Sequence, residues 1–101
     1  MLLGDFNAYA MEDPIRTLNA AGWQDAFKVA GVAQPYSYVY NGLIGRLDHA
    51  LLSPGMAARL KGAAEWHTNA DEADDAGYQG RNVPGPWRSS DHDPLLLGFE
   101  P

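Results

Sequence analysis

The chain has 101 residues, no cysteine and a net charge of −6. This length suits one small domain, and an apolar share of 46% is typical of globular proteins and not of disordered or fibrous ones. The lack of cysteine excludes disulfides and thiolate metal sites, so a bound metal has to use carboxylate, amide or imidazole ligands. The acidity argues against nucleic-acid binding through a basic surface, although a bound cation would supply positive charge at a phosphate.

The chain begins with the composition of a strand end, at residues 1–3, and then turns polar. No apolar run approaches the ~18 residues that a membrane span needs, and the apolar start is too short for a secretory signal. A helix is predicted next, with Asp13 as its N-cap, Pro14 in its first turn and Gly22 as its stop.

Short strands dominate the prediction for the rest of the chain. Runs with strand composition lie at 23–29, 36–40, 46–53, 62–67 and 95–99. Asn41-Gly42 is a turn signal, and Pro54 predicts the start of a second short helix. The polar stretch 69–90 is long for an internal loop, which suggests a functional or mobile segment.

This order of many strands and few helices favours an α+β fold over regular alternation of strands and helices. No repeat or linker divides the sequence, so we expect one domain over 1–101. A sheet that starts without an upstream neighbour would expose an apolar face. We therefore expect either a missing partner segment or self-association.

The first chemical motif is GDFNAY, at the end of the first predicted strand. In an extended segment Asp5 and Asn7 project to the same face. One group can then hold a hard cation or its water while the other orients a phosphate oxygen. The alternative is a junction in which Gly, Asp and Asn simply form a turn.

The second motif, RSSDHDP, lies between the polar loop and the last predicted strand. His92 is suited to proton transfer near neutral pH, and Asp91 can bind a metal or hold a ring. The alternative is a solvated turn. Asp93, which precedes a proline, is interpreted as a turn residue and not as a catalyst.

The third motif is RLDHALLS, in which Asp48 lies inside an apolar strand where a carboxylate is costly without a partner. His92 is the candidate partner, because an acid that orients a histidine is a common element of catalytic sites. The competing partner is Arg46, two residues away on the same face. His49 faces the opposite way and is predicted to be a packed or surface histidine.

GDFNAY, RLDHALLS and RSSDHDP, in this order and before a final apolar strand, resemble the endonuclease/exonuclease/phosphatase superfamily, which includes pancreatic deoxyribonuclease and the apurinic endonucleases. Over nearly the whole chain the wording is also similar to bacterial extracellular nucleases. The resemblance implies the C-terminal half of a four-layer α/β/β/α sandwich, mostly antiparallel with short helices. The upstream half of that fold would supply a further metal-binding Glu.

The resemblance also implies roles for the motif residues. Asp5 and Asn7 would bind the activated water and the phosphate, Asp5 and Asp91 would be metal ligands, and Asp48 would hydrogen-bond His92. His92 would contact the scissile phosphate as acid or base. The metal would be Mg²⁺ or Mn²⁺, with Ca²⁺ as an alternative, and the reaction would be hydrolysis of a phosphodiester in DNA or RNA.

Partners and location follow from the same resemblance. We expect a nucleic-acid substrate, a missing N-terminal half-domain or a second copy of the chain, no membrane, and a secreted or periplasmic parent protein. The isolated chain is expected to be inactive or weak. The alternatives are another phosphoesterase of the superfamily, acting on a phospholipid or inositol phosphate, and a non-catalytic module that self-associates.

Three further features are less specific. Arg88 is the basic residue best placed to bind a substrate phosphate, because guanidinium matches phosphate geometry, and the alternative is a surface arginine. The run DEADD, 71–75, could hold calcium or form a solvated charged segment. Trp66, with His67 and Asn69, could line a substrate groove, and the alternative for Trp66 is a core aromatic.

Overall fold

The computed structural model describes residues 1–73 and 88–101. The helices of this part are α1 (Asp13–Ala20), α2 (Ala26–Val29) and α3 (Pro54–Ala57). Its strands are β1 (Leu2–Asp5), β2 (Gln24–Asp25), β3 (Tyr38–Tyr40), β4 (Leu43–Gly45), β5 (Asp48–Leu52), β6 (Leu60–Glu65) and β7 (Leu95–Phe99). Every pairing between these strands is antiparallel. The predicted α+β class is therefore confirmed, and the arrangement is compatible with part of an α/β sandwich.

Strand β5 is the centre of the largest sheet, which has the order β1-β5-β2. Its run His49 to Leu52 is fully buried, as expected for a strand covered on both faces. The register places Asp5, the last residue of β1, directly opposite Asp48, the first residue of β5. Two acidic residues from distant parts of the sequence therefore meet at one edge of this sheet. The remaining strands form two two-stranded antiparallel ribbons, β3-β4 and β6-β7, and the first is a hairpin of strands joined by a short turn.

The core lies where α2, α3 and the β6-β7 ribbon pack on β5. Its buried members are Ala26, Ala50, Leu52 and Ala57, and the partly buried side chains around them are Met56, Leu60, Leu95, Leu97 and Phe99. The three alanines allow the helices to approach the strand closely. Removing the Leu52 side chain would cost about 2–5 kcal/mol, since a fully buried leucine leaves a cavity.

Helix α1 begins and ends close to the prediction. Glu12, and not Asp13, is the N-cap residue, and its carboxylate accepts a hydrogen bond from the Tyr9 N–H at 2.7 Å. The helix stops because Gly22 adopts a φ of 96°, which a residue with a side chain rarely does. Buried Ile15 fixes the inner face of the helix.

The strand predicted at 23–29 is wrong over most of its length. Only Gln24 and Asp25 pair with β5, and α2 follows immediately. The Asp25 carboxylate accepts a hydrogen bond from the Phe27 N–H at 2.9 Å and so caps this helix. A capping side chain offers the backbone N–H groups a hydrogen-bond partner other than a neighbouring strand. The composition of the segment alone does not reveal this cap.

The Asn41-Gly42 turn is confirmed. Both residues have positive φ, 49° and 76°, as the two-residue turn between β3 and β4 requires. The helix predicted at Pro54 is also confirmed, with the Ser53 hydroxyl as its cap. The final strand has its predicted bounds.

Part of the predicted loop 69–90 lies outside the described residues, since 74–87 are not described. The apolar exposure expected for the sheets is confirmed at Leu3 on β1 and Leu96 on β7, each about half exposed. What covers these positions stays a prediction. Within 1–73 and 88–101, no helix combines the length and apolarity that crossing a bilayer demands.

Candidate active site

The centre of the candidate site is a contact between His92 and Asp48. The His92 Nδ1 lies 2.6 Å from Asp48 Oδ2, and the Ser37 hydroxyl donates to the same oxygen at 2.6 Å. Two donors on one oxygen explain how a half-buried carboxylate is tolerated at the start of an apolar strand. Because Nδ1–H donates to Asp48, Nε2 is the ring nitrogen left to act on a substrate.

The competing partner for Asp48 is wrong. Arg46 forms a buried ion pair with both carboxylate oxygens of Asp25 and lies over the Phe27 ring, 5.0 Å from its centroid. The pair stabilises the β2-α2 junction on another side of β5. Asp48 is therefore free of Arg46 and contacts His92, the candidate partner predicted from the sequence.

His49 is a packed histidine, one of the two possibilities left by the sequence. It is fully buried, and its Nε2 donates to the Ala8 carbonyl at 2.7 Å. Its ring meets Phe6 edge-on with centroids 5.7 Å apart. Burial lowers the His49 pKa, so the ring stays neutral in the folded chain.

Asp5 joins the pair from the opposite strand. Asp5, Asp48 and His92 each offer one ligand atom, and these atoms all lie within 4.8 Å of one another. The two carboxylates suit a hard divalent cation, which prefers oxygen ligands. One oxygen of Asp48 is occupied by its two donors, so the groups that fit a cation are the exposed Asp5 carboxylate and the second oxygen of Asp48, with water as further ligand.

The geometry predicted for Asp5 and Asn7 is wrong. Strand β1 ends at Asp5, Asn7 has a left-handed φ of 48°, and the Asn7 N–H donates to Asp5 Oδ1 at 2.8 Å. The segment is therefore a turn and not extended, because the aspartate side chain captures the amide two residues later. Both side chains are exposed at the sheet edge, and their catalytic and binding roles stay predictions.

The backbone around His92 is held on both sides. Asn69 donates its side-chain amide to the His92 carbonyl at 2.7 Å, and its side-chain oxygen accepts from the Ser89 N–H at 3.0 Å. The Asp93 N–H donates to the Ser37 carbonyl at 2.8 Å. The Tyr38 ring packs against the imidazole, with centroids 4.7 Å apart. These contacts fix the direction in which His92 points.

Asp93 is a structural residue, but it is buried and not an exposed turn residue. Its carboxylate accepts from the backbone N–H groups of Asn69 and Ala70 at 2.9 Å each, and from His67 Nδ1 at 2.8 Å. The His67 ring in turn stacks on Tyr36, with centroids 4.0 Å apart. This second His–Asp pair fastens the start of the polar segment to the stretch of chain that carries His92.

Asp91 and Arg88 stand apart from the central contact. Asp91 is half-buried next to His92 in sequence, and it is not a member of the three-residue cluster found among the described residues. Arg88 is buried and donates to the carbonyls of Asn69 and Glu72 at 3.0 Å each. The alternative of a surface arginine is thus wrong, and the metal and substrate roles of these two residues stay predictions.

The less specific features are partly resolved. Trp66 is 59% exposed, so its alternative as a core aromatic is wrong. Asp71 accepts a hydrogen bond from the Tyr36 hydroxyl at 2.8 Å, which raises the Tyr36 pKa to about 12. Two of the four acidic residues that the calcium hypothesis needs, at 74 and 75, lie outside the described residues.

Three residues surround the Asp48–His92 contact: sequence reasoning missed Ser37 and Tyr38, and it placed Asn69 in a possible substrate groove without connecting it to His92. Ser37 had a detectable signal, since it is the polar residue on the inward side of the alternating YSYVY run and is fully buried. Asn69 had none, because only the folded chain brings residue 69 beside residue 92.

The comparisons with known proteins agree with the motifs. The model of the endonuclease/exonuclease/phosphatase family matches residues 1–92, which is most of the chain. The searches of curated proteins and of solved structures found no match. The matched residues include the first two motifs, the first five residues of the third, and both partners of the Asp48–His92 contact. The chain therefore belongs to the endonuclease/exonuclease/phosphatase family.

Proposed function

We propose that this chain carries the proton-transfer and phosphate-binding residues of a metal-dependent nuclease acting on DNA or RNA. The observation that supports the proposal most directly is the 2.6 Å contact between His92 Nδ1 and Asp48, with Asp5 beside it. Family membership indicates hydrolysis of phosphoesters in general. Together the three groups offer a proton-transfer group and carboxylates that could hold a cation beside it.

Each residue has a distinct part in the proposed mechanism. Asp48 holds the His92 ring in the tautomer that leaves Nε2 facing the substrate, and it stabilises the ring when it carries a second proton. Nε2 then transfers a proton to or from the scissile phosphate group. Asp5 and the second oxygen of Asp48 would hold the divalent cation, Asp91 is proposed as a further ligand, and Asn7 is proposed to orient a phosphate oxygen.

The family typically uses a divalent metal, and the cluster of Asp5, Asp48 and His92 could hold one. When bound, such a cation neutralises the charge that develops on the phosphate oxygens and lowers the pKa of bound water. Mg²⁺ or Mn²⁺ is proposed because the available ligands are mainly carboxylate oxygens. The choice of a nucleic acid as substrate, and of a secreted or periplasmic location, is a proposal that rests on the wording of the sequence motifs.

The test is hydrolysis of bis(p-nitrophenyl) phosphate, plasmid DNA, RNA and sphingomyelin with Mg²⁺ or Mn²⁺. The rate of the 101-residue chain is expected to be low, to require the cation, and to favour the nucleic acids. His92→Gln removes the proton-transfer group and should abolish the rate, whereas His67→Gln, the matched change in the other His–Asp pair, should leave most of it. Equal rates for His92→Gln and the unaltered chain would contradict the proposal, and preferred cleavage of sphingomyelin would shift it to a lipid phosphodiesterase.

A further inference from the structure

A hollow lined by aromatic and aliphatic residues lies at the β3-β4 ribbon, whose Tyr38 packs against His92. Its volume is about 410 Å³, and its lining residues are Tyr9, Tyr40, Leu43 and Ile44. All four are large apolar or aromatic side chains that are 41% to 74% exposed. Such exposure on neighbouring residues of a small protein is typical of a binding surface.

One of the lining residues, Tyr9, is connected to the catalytic motifs. Tyr9 follows GDFNA directly, and its ring lies against Gly45 of β4, where a Cβ atom would collide with it. Gly45 pairs with Tyr38 across the β3-β4 ribbon, and Tyr38 packs on His92. The hollow and the catalytic histidine are therefore on connected parts of one structure.

An aromatic row leads from the histidine to the hollow. The centroids of Tyr38 and His92 are 4.7 Å apart, and the Tyr38 and Tyr40 rings are near-parallel, 15° between planes, with centroids 6.4 Å apart. Tyr38 therefore contacts both rings, and Tyr40 is separated from His92 by this one aromatic residue. Flat aromatic faces in this position can stack on a base while the phosphate of the same nucleotide reaches His92.

The chemistry of the lining favours a base over a phosphate. None of its four side chains carries a charge, so the hollow adds nothing to phosphate binding. Stacking on aromatic rings does not depend on basic side chains, and this acidic chain of net charge −6 has only seven lysines and arginines.

We propose that Tyr9, Tyr40, Leu43 and Ile44 form a subsite that binds one unpaired nucleobase next to the scissile phosphate. This inference rests on the proposed function and specifies its substrate class, a single-stranded or locally opened nucleic acid. A duplex would have to release a base to fill the hollow. The chain should therefore bind single strands in preference to duplexes.

The test measures binding by fluorescence anisotropy in the presence of Mg²⁺. The labelled probes are oligothymidylate, a base-free phosphodiester oligomer of equal length, and a duplex, and each probe is checked after the measurement to show that it is intact. Oligothymidylate should bind about 5- to 100-fold more tightly than the base-free oligomer. Tyr40→Ala should remove that advantage without changing binding of the base-free oligomer, whereas Tyr40→Phe should keep it. Leu96→Ala, an equally exposed apolar residue on β7, is the control and should change neither.

Several results would overturn the subsite. Equal binding of oligothymidylate and the base-free oligomer would do so, and so would unchanged oligothymidylate binding by Tyr40→Ala. A third such result is that the chain binds phosphatidylcholine vesicles through Leu43 and Ile44 and does not bind oligothymidylate. The subsite and the proposed function fail separately. Tyr40-dependent binding without His92-dependent hydrolysis would contradict the function alone, and His92-dependent hydrolysis with no contribution from bases would contradict the subsite alone.

Discussion

The chain contains two His–Asp pairs of nearly the same geometry in different surroundings. The side chains of His92 and Asp48 are 20% and 15% exposed and 2.6 Å apart, and those of His67 and Asp93 are 35% and 0% exposed and 2.8 Å apart. Asp93 is saturated by two backbone donors in addition to its histidine. In contrast, Ser37 and His92 both donate to Oδ2 of Asp48, and Asp5 lies next to the Asp48 carboxylate.

The difference teaches that a His–Asp contact is not by itself a catalytic feature. A carboxylate fully used by backbone amides holds chain segments together, and a carboxylate beside a second acid at a sheet edge can orient a reacting group. The two pairs should therefore respond in opposite ways to the same substitution. Loss of the Asp48 charge should affect activity, and loss of the Asp93 charge should affect stability.

The largest effect is expected from Asp48→Asn. The amide keeps the shape of the side chain, but it no longer favours the reactive tautomer of His92 or stabilises the protonated ring. We expect hydrolysis of bis(p-nitrophenyl) phosphate to fall about 10²- to 10⁴-fold. The melting temperature should change by only a few degrees. A large loss of stability with unaltered activity would mean that Asp48, like Asp93, mainly holds chain segments together.

Asp93→Asn should have the second largest effect, and on stability. The buried carboxylate accepts three hydrogen bonds, and an asparagine oxygen cannot serve all three with equal geometry. We expect the free energy of unfolding to fall by about 2–4 kcal/mol, measured by urea denaturation. Asp13→Asn is the control, since Asp13 is exposed on α1 and should show almost no change. An Asp93→Asn chain as stable as the original would contradict the structural role of the second pair.

Glu65 gives a pH-dependent test of the second pair's environment. Burial raises the pKa of the Glu65 carboxyl from 4.5 to about 7, and the negative charge of Asp93 acts in the same direction. The hydrogen bond from the Tyr36 N–H and the nearby Arg46 and His67 lower the pKa and so partly offset the effect of burial. A raised carboxyl pKa means that the folded chain binds a proton more tightly than the unfolded one, so stability falls as pH rises from about 4.5 to 7. Glu65→Gln should remove this fall.

The expected difference between Glu65→Gln and the original chain grows across that range by about 1–2 kcal/mol, less than full linkage because the side chain is partly solvated. Urea denaturation at several pH values measures it. Glu100→Gln, an exposed position, is the control and should leave the pH dependence in place. Parallel curves for Glu65→Gln and the original chain would show that Glu65 is not desolvated.

The smallest effect is expected from Ser37→Ala. The substitution removes one of the two donors to Asp48 Oδ2 and leaves His92 as the other. We expect a loss of about 0.5–1.5 kcal/mol in stability and a change of only a few-fold in activity. The activity should remain well above that of Asp48→Asn, and an equal loss would make Ser37 as important as the aspartate it contacts.

Local signals predicted most of the fold. Pro14 and Gly22 indicated helix α1, Asn41-Gly42 indicated the hairpin, and Pro54 indicated α3, because each acts through its own backbone preference. The strand predicted at 23–29 was wrong because a side-chain contact, and not a backbone preference, decides the structure there. A side-chain cap by Asp25, reinforced by Arg46 from a distant part of the chain, overrides the strand composition of that run.

For the candidate site, too, the sequence predicted what local patterns record and missed what depends on the fold. The cost of an unpaired Asp48 in an apolar strand identified it as a residue that needs a partner, and motif order pointed to His92. The turn at Asn7 was missed because the Asp5 side chain captures its amide, and the contact of Asn69 with His92 was missed because no local pattern records it. Contacts between residues far apart in sequence depend on the whole fold.

The most direct test of the central claim, that Asp5, Asp48 and His92 form one cation and phosphate site, is an NMR titration of the chain with Mg²⁺. The Asn7 amide donates to Asp5, so its signal and those of the His92 ring should shift together and saturate, while the His67 ring stays nearly constant. Asp5→Asn should abolish the shifts. Shifts at His67 without any at Asn7 and His92, or no saturable shift at either, would contradict the claim.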